Sequence, residues 1–286
     1  MGMDEGRLAV IKNIEKALAD GDTFRKVEIG DPNITDEDIK RVIKPFDTLR
    51  KKPINKIKAL AARLIAESLT KKLNANTELV GLENINGING GAIITCNHFN
   101  VMDNTLPRIL AMRAGKGKSF DIVIQENNVF MDGFFGFLMN NANTLPVSRS
   151  ASYMAKNFKP AIKKLLEEGH YILIYPEQEM WFNYKKPRAL RDGAYHYAAE
   201  FKVPIIPCFI TMQNLETVDD CGFLEVRHTL HIMPPIIPDG SLSFRENRAN
   251  MRDRDAQLKR ECYERIYGYA PDENFIPERD IAGFRK

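Results

Sequence analysis

His98 follows a run of small and apolar residues, Ala92-Ile93-Ile94-Thr95-Cys96-Asn97, and Asp103 comes five residues later. An imidazole that donates one ring N–H to a carboxylate keeps its other nitrogen free, which makes it a general base near neutral pH. A turn of the chain between His98 and Asp103 would give that pair. No serine or cysteine stands where such a base would activate it, so the pattern suits proton abstraction from a substrate hydroxyl better than covalent catalysis. By itself the spacing is a weak motif, and it fits a helix-capping histidine beside an unrelated acid even better.

Other residues bear on that choice. The run Thr144-Leu145-Pro146-Val147-Ser148-Arg149-Ser150 ends a short strand in an arginine just before a helix, where a guanidinium beside N-terminal amides makes an anion site. Tyr171-Ile172-Leu173-Ile174-Tyr175-Pro176-Glu177 places a carboxylate directly after a strand, and Val203-Pro204-Ile205-Ile206-Pro207 opens another strand with two prolines. Singly, each has a structural explanation: a solvated charge, a helix cap, markers of a strand edge. Cys221, His228 and His231 lack a second ligand pair nearby, so no metal is expected there. His170 and His196 read as turn and helix residues. The aromatic and Met-rich run at residues 129–139 fits either packed core or a lipid-facing segment.

The elements that must position these residues alternate in kind. Short apolar runs at 92–96, 120–124, 171–175 and 205–210 read as buried strands, with helical stretches at 151–168 and 192–201 between them. Residues 224–232 alternate as a half-exposed strand does, and 245–267 read as a charged terminal helix. Before residue 74 the pattern is helical. Residues 9–18 have helical apolar spacing, Thr35-Asp36-Glu37-Asp38 reads as an N-cap with acidic first-turn residues, and Pro53 suits a first-turn position. Ile54, Ile57, Leu60, Ala61, Leu64, Ile65 and Leu69 then recur at three- and four-residue steps among lysines and arginines, as in an amphipathic basic helix. The expected fold is α/β, a largely parallel central sheet flanked by helices, with an N-terminal helical extension over 1–74 and the α/β domain over 75–286.

The composition is that of an ordinary soluble chain: 286 residues, 44% hydrophobic and 28% charged, with a net charge of only +3. No general polyanion is demanded, so nucleic acid is not an expected partner. The positive charge is local, because residues 40–72 hold eleven Lys and Arg against Asp47 and Glu67. No apolar stretch approaches a membrane span, the N-terminus shows no secretory pattern, and four cysteines are too few for a disulfide scaffold. These features predict a cytoplasmic protein with reduced thiols.

Taken in order, four blocks resemble the glycerolipid acyltransferase superfamily, which includes the 1-acylglycerol-3-phosphate acyltransferases. They are Asn97-His98 with Asp103, Leu145-Pro146-Val147-Ser148-Arg149, Tyr175-Pro176-Glu177, and Val203-Pro204 with Pro207. Four ordered blocks are far more specific than one. The resemblance implies His98 as general base, Asp103 as its orienting partner, Arg149 as a binder of the acceptor's phosphate, and Glu177 as a shaper of the acceptor site. Asn97, Pro176, Pro204 and Pro207 enter the substrate-binding set on the same ground. It also implies an acyl-CoA or acyl carrier protein co-substrate with no further cofactor, a lipid acceptor such as lysophosphatidic acid, and peripheral association with the cytoplasmic face of a membrane.

One block departs from the pattern. Its usual continuation is Glu-Gly-Thr-Arg, whereas Glu177 is followed by Gln178-Glu179-Met180, so the second phosphate-contacting arginine is replaced by Met180. Lys185, Lys186, Arg188 and Arg191 offer positive charge from another direction; otherwise the acceptor is a glycolipid or another lipid without a terminal phosphate there. Two other classes compete: a hydrolase using water in place of the lipid hydroxyl, and a non-catalytic module binding a membrane surface, which would have no need of the His98/Asp103 pair.

Overall fold

The computed structural model describes residues 3–30, 34, 35, 37 and 53–285. The expected cap at Asp36 and Asp38, and the basic residues from Lys40 to Lys52, lie outside the described residues. Strands β1 (Glu78–Val80), β2 (Ala92–Thr95), β3 (Phe120–Ile124), β4 (Thr144–Pro146), β5 (Tyr171–Ile174), β6 (Ile205–Val218) and β7 (Leu224–Ile232) form one sheet in the order β1-β7-β6-β2-β5-β3-β4. Every neighbouring pair is parallel except β6 with β7.

The central strands are continuous apolar runs because both of their faces are covered. Successive side chains alternate between the faces. Ile94 and Leu173 pack on one side with Leu106 and Leu110 of helix α3 (Thr105–Arg113). Ile93 and Ile172 pack on the other with Ile162 and Leu166 of α6 (Lys159–Glu167) and with Tyr195 and Ala198 of α7 (Gly193–Phe201). The helix expected over 151–168 is present as α5 (Ala151–Tyr153), a π turn (Met154–Phe158) and α6.

Strand β6 is longer than its apolar run. Beyond Met212 its side chains are mostly exposed, and it continues as one arm of the antiparallel pair with β7. The long helix α8 (Phe244–Tyr267) starts in a capping box between Ser243 and Glu246. One turn of it carries a buried ion pair, Asp255 with Lys259 at 2.8 Å. Thr95 at the end of β2 and Tyr195 of α7 each donate a hydroxyl to Asp255 at 2.6 Å, which fixes the end of β2 from behind.

The two described N-terminal helices dock on different parts of the α/β body. Val10, Ile11, Ile14 and Ala17 of α1 (Met3–Ala19) share a core with Trp181, Tyr184, Phe223 and Ile281. Helix α2 (Pro53–Leu73) packs Ala62 and Ala66, its small residues, against Leu138 and Ala142 at the end of α4 (Gly133–Asn141). Its large apolar residues Ile54, Ile57, Leu60 and Leu64 face outward instead, Ile57 being 65% exposed. The run at 129–139 is split in the same way: Val129 and Leu138 are buried, whereas Phe134 and Phe135 are exposed. Gly136 is required between them, since a Cβ there would overlap the Met131 carbonyl oxygen.

Candidate active site

The C-terminal ends of β2, β5, β3 and β4 stand side by side and carry His98, Glu177, Glu126 and Arg149 in that order along one edge of the sheet. Ligand sites of open parallel sheets lie at this edge. Asn97 does not face it. Its buried amide is clamped to Ile210 of β6, donating to the carbonyl at 3.0 Å and accepting from the N–H at 2.8 Å, so its role is to lock β2 to β6.

The loop after His98 wraps the carboxylate of Asp103. Oδ2 accepts the amides of Phe99 at 2.8 Å and Asn100 at 3.1 Å, and lies 2.8 Å from Nδ1 of His98. Oδ1 accepts the hydroxyl of Tyr175 at 2.6 Å. Helix α3 begins only at Thr105, so Asp103 sits in the turn before the helix rather than in its first turns. An aspartate that captures nearby backbone amides competes with helix formation, which explains the delay. Because a carboxylate only accepts, Nδ1 carries the proton of a neutral His98 and Nε2 the lone pair. The His98 side chain is 22% exposed while that of Asp103 is buried, so the imidazole alone of the pair reaches the surface.

Tyr175 covers one face of the imidazole, its ring stacked on that of His98 with centroids 4.0 Å apart and planes 14° from parallel. Burial and the neighbouring Asp103 push the Tyr175 phenol well above its ordinary range, so it remains an O–H donor. Behind the loop, Glu177 is 2% exposed and fully engaged. It accepts the amide of His98 at 3.3 Å and that of Arg188 at 3.1 Å, and it pairs with the Arg188 guanidinium at 3.0 Å. Arg188 also donates to the carbonyls of Thr23, His98 and Glu179 and lies over the Trp181 ring. Glu177 therefore holds the backbone under His98.

Arg149 is the cation at the far end of this edge. Glu126 accepts its amide at 3.2 Å and its Nε at 2.7 Å, yet the arginine side chain remains 64% exposed. Of the four cations after Met180, two are committed inside the protein. Arg188 is locked as described, and Lys186 is buried against Asp272, Asp280 and the carbonyl of Asn274. Lys185 lies over the Tyr267 ring and Arg191 over the Phe24 ring. Glu179 takes the side-chain amide of Gln125 at 2.9 Å.

The prolines do not cluster with His98. Pro176 is buried beside Glu177, where its carbonyl accepts the Arg191 amide. Pro207 pairs with Thr95 inside the sheet, and Pro204 precedes β6 at the opposite edge, in a groove with Gly90, Gly91 and Leu166. In this structure Pro204 and Pro207 shape strand β6. Cys221 packs in the core around α1 while His231 bonds Thr211, so these two do not share a site. A second His–Asp contact, His170 with Asp121 at 2.6 Å, joins the N-terminal ends of β5 and β3, away from the edge that carries His98.

Beside the loop from His98 to Asp103, a narrow slot runs between α2, α3 and α4. It is lined by Leu69, Val101, Met102, Ile122, Phe135 and Met139, together with the buried guanidinium of Arg108, which lies 4.9 Å over the Phe120 ring. Burial pushes Arg108 down to about 10. From sequence, Tyr175 reads only as the aromatic residue of its block and Arg188 only as a source of positive charge, and Glu126 is not named. The one signal for Glu126 is its place two residues after a strand.

The acyltransferase family model matches residues 76–211, a segment that spans His98, Asp103, Arg149 and Glu177. Residues 76–211 are thus similar to the acyltransferase family, in line with the resemblance of the four sequence blocks to the glycerolipid acyltransferases. Its fold is similar to that of the crystal structure of the 1-acyl-sn-glycerophosphate acyltransferase from Thermotoga maritima, with a TM-score of 0.51 over 93% of this chain and 96% of that one, at 17% identity. No curated protein matches the sequence. The family match supports acyl transfer as the reaction class, and the largely parallel sheet with flanking helices is shared with that crystal structure. Among the described residues, no helix is long and apolar enough to cross a membrane.

Proposed function

We propose that the protein moves a fatty acyl group from a thioester, acyl-CoA or acyl carrier protein, to a hydroxyl of a glycerolipid acceptor. The observation that carries this is the His98–Asp103 contact at a solvent-reaching sheet edge. Nε2 of His98 takes the hydroxyl proton as the acceptor oxygen attacks the thioester carbonyl, and Asp103 stabilises the imidazolium that forms. Collapse of the tetrahedral intermediate expels the thiolate, which recovers the proton from His98. The amides of Phe99 and Asn100 are spent on Asp103, so oxyanion donors must come from elsewhere.

The acceptor's head group has two readings. The resemblance favours the phosphate of lysophosphatidic acid, with Arg149 as its ligand. An acceptor without a terminal phosphomonoester is supported by the site itself. Met180 supplies no charge, Arg188 is consumed by Glu177 and three carbonyls, and Glu179 adds a carboxylate next to it. This second reading includes glycolipids and phosphodiester lipids. The outward apolar face of α2, with Lys56, Lys58, Lys71 and Lys72 on the same helix and Phe134 and Phe135 on its packing partner, supports peripheral seating on an anionic membrane on the cytoplasmic side.

The test is incubation with a labelled acyl thioester and a panel of lysophosphatidic acid, phosphodiester lysolipids, monoacyl glycolipids and no acceptor, read by mass spectrometry. Acylated lipid formed by the wild type and lost by more than about 100-fold in His98→Ala supports the reading. Free fatty acid as the product in every arm would make the protein a hydrolase. A His98→Ala chain retaining a tenth of the turnover would remove the general base.

A further inference from the structure

Tyr175 is the residue directly after β5, and its side chain touches both members of the His98–Asp103 pair. We propose that Tyr175 is a positioning residue for acyl transfer, its ring fixing the plane of the His98 imidazole and its hydroxyl occupying the remaining oxygen of Asp103. The proposal rests on His98 being the base and names a residue that governs how that base works.

A single contact from Nδ1 to Asp103 fixes one point of the imidazole and leaves the ring plane free to tilt about the held edge. The Tyr175 ring, 4.0 Å away and 14° from parallel, removes that freedom and aims Nε2 along one direction. Productive general-base geometry tolerates deviations of about 10–20°. The hydroxyl acts on the other partner. With three donors at Oδ2 and the phenol at Oδ1, every side of the buried carboxylate is engaged. A donor at Oδ1 draws charge away from Oδ2 and weakens the pull of Asp103 on a protonated His98. Removing the hydroxyl strengthens that pull, so the imidazole holds its proton to higher pH.

The other charged and titratable groups around the pair are fixed. Glu177 and Arg188 contact the His98 backbone from the loop after β5, and they pair with each other. From α3 the Arg108 guanidinium acts on Tyr175. Cys96 is buried at the end of β2. From β7, His228 lies 5.2 Å from the Phe99 ring and feels the Asp103 charge. None of these changes when only the hydroxyl is removed.

The experiment compares the full-length wild type, Tyr175→Phe and Tyr175→Leu by two readouts. One is kcat against pH with an acyl thioester and the acceptor found active in the panel above. The other is titration of ring nitrogens in protein labelled with ¹⁵N-histidine, where the missing signal of His98→Ala identifies His98 among five histidines. Tyr175→Phe keeps the stack. Its acidic limb and its His98 titration should move to higher pH by about half a unit or more, with less than about tenfold loss of plateau kcat. Tyr175→Leu loses both contacts and should lose about 100-fold in kcat with little change in thioester KM.

Unchanged midpoints in Tyr175→Phe overturn the hydroxyl's role, and equal kcat in the Phe and Leu variants overturns the ring's. The nitrogen titration needs no substrate, so it decides the Asp103 contact even if Tyr175→Leu fails to fold. Loss of the base reading is seen separately, as activity surviving in His98→Ala.

Discussion

Arg188 reaches back eleven residues to pair with Glu177, and the same guanidinium caps the carbonyl of His98. Glu177, implied as a shaper of the acceptor site, is half of a buried ion pair that supports the His98 loop from below. Pairs of this kind contribute little net stability while intact, but losing one partner strands a buried charge at a cost of about 3–5 kcal/mol.

Arg188→Met is therefore expected to lower the unfolding free energy by about 3–5 kcal/mol in denaturant titration, and to reduce acyl transfer as His98 loses its support. Glu177→Gln/Arg188→Met removes both charges, leaving a carboxamide and a thioether of similar volume, and should recover at least a third of the lost stability. A double variant no more stable than Arg188→Met would show that the hydrogen bonds to backbone, not the paired charge, carry the effect.

At the acceptor end, Arg149→Ala should raise KM for an anionic lysolipid by about tenfold with kcat held within about threefold, since it removes binding charge and leaves the base intact. An unchanged KM with a fallen melting temperature would assign Arg149 a structural role through Glu126. Met180→Arg restores the residue type that the family pattern carries there. A bidentate arginine is worth about 1.5–3 kcal/mol toward a phosphate, so the preference for lysophosphatidic acid over an acceptor without a phosphomonoester should rise by about tenfold or more. No change in the acceptor ranking would show that Met180 does not set specificity.

The sequence made the central strands legible for a physical reason: strands buried on both faces must be apolar throughout, and β2 and β5 are. The outer part of β6 and most of β1 are polar or exposed, and the partner of β1 in the sheet, β7, lies far away in the chain. In the site, His98 and Asp103 are five residues apart, so a local turn suffices to join them. Tyr175 meets Asp103 across 72 residues, and the use of Arg188 against Glu177 depends on a loop whose path no spacing reveals. Pro204 shows the converse: a residue can belong to an ordered family block and still lie at the other edge of the sheet.

His231 gives a pH dependence of stability. Its Nε2 meets Thr211 Oγ1 at 2.9 Å inside the β6–β7 pair, and burial, aided by Arg265, pushes the ring down to about 4. In the unfolded chain the imidazole titrates near 6.5. As pH falls from about 6.5 to about 4, the unfolded state takes up a proton that the native state refuses, so stability is present above this window and is lost through it. Urea unfolding at pH 7, 6, 5 and 4 should show His231→Gln losing less stability than the wild type across this range. Parallel profiles for the two proteins would place the acid sensitivity in carboxylates elsewhere.

The last expectation concerns where the enzyme works. Ile54, Ile57, Leu60 and Leu64 repeat on the outward face of α2, while Ala62 and Ala66 dock the helix onto α4. The amphipathic pattern thus points its large side chains away from the core, the reverse of an ordinary surface helix. Each such side chain gains about 1.5–3 kcal/mol on full burial, and each nearby lysine about 1 kcal/mol at an anionic surface. Because the proposed acceptor and product are lipids, seating this face in the headgroup region spares their extraction from the bilayer. Sedimentation with vesicles containing anionic lipid should pellet the wild type, and pelleting should fall with neutral vesicles or at high salt. Ile57→Glu/Leu64→Glu should pellet at least tenfold less while keeping its melting temperature, as neither side chain supports the core. Unchanged pelleting of that variant, with loss in Phe134→Ser/Phe135→Ser, would move the anchor to α4.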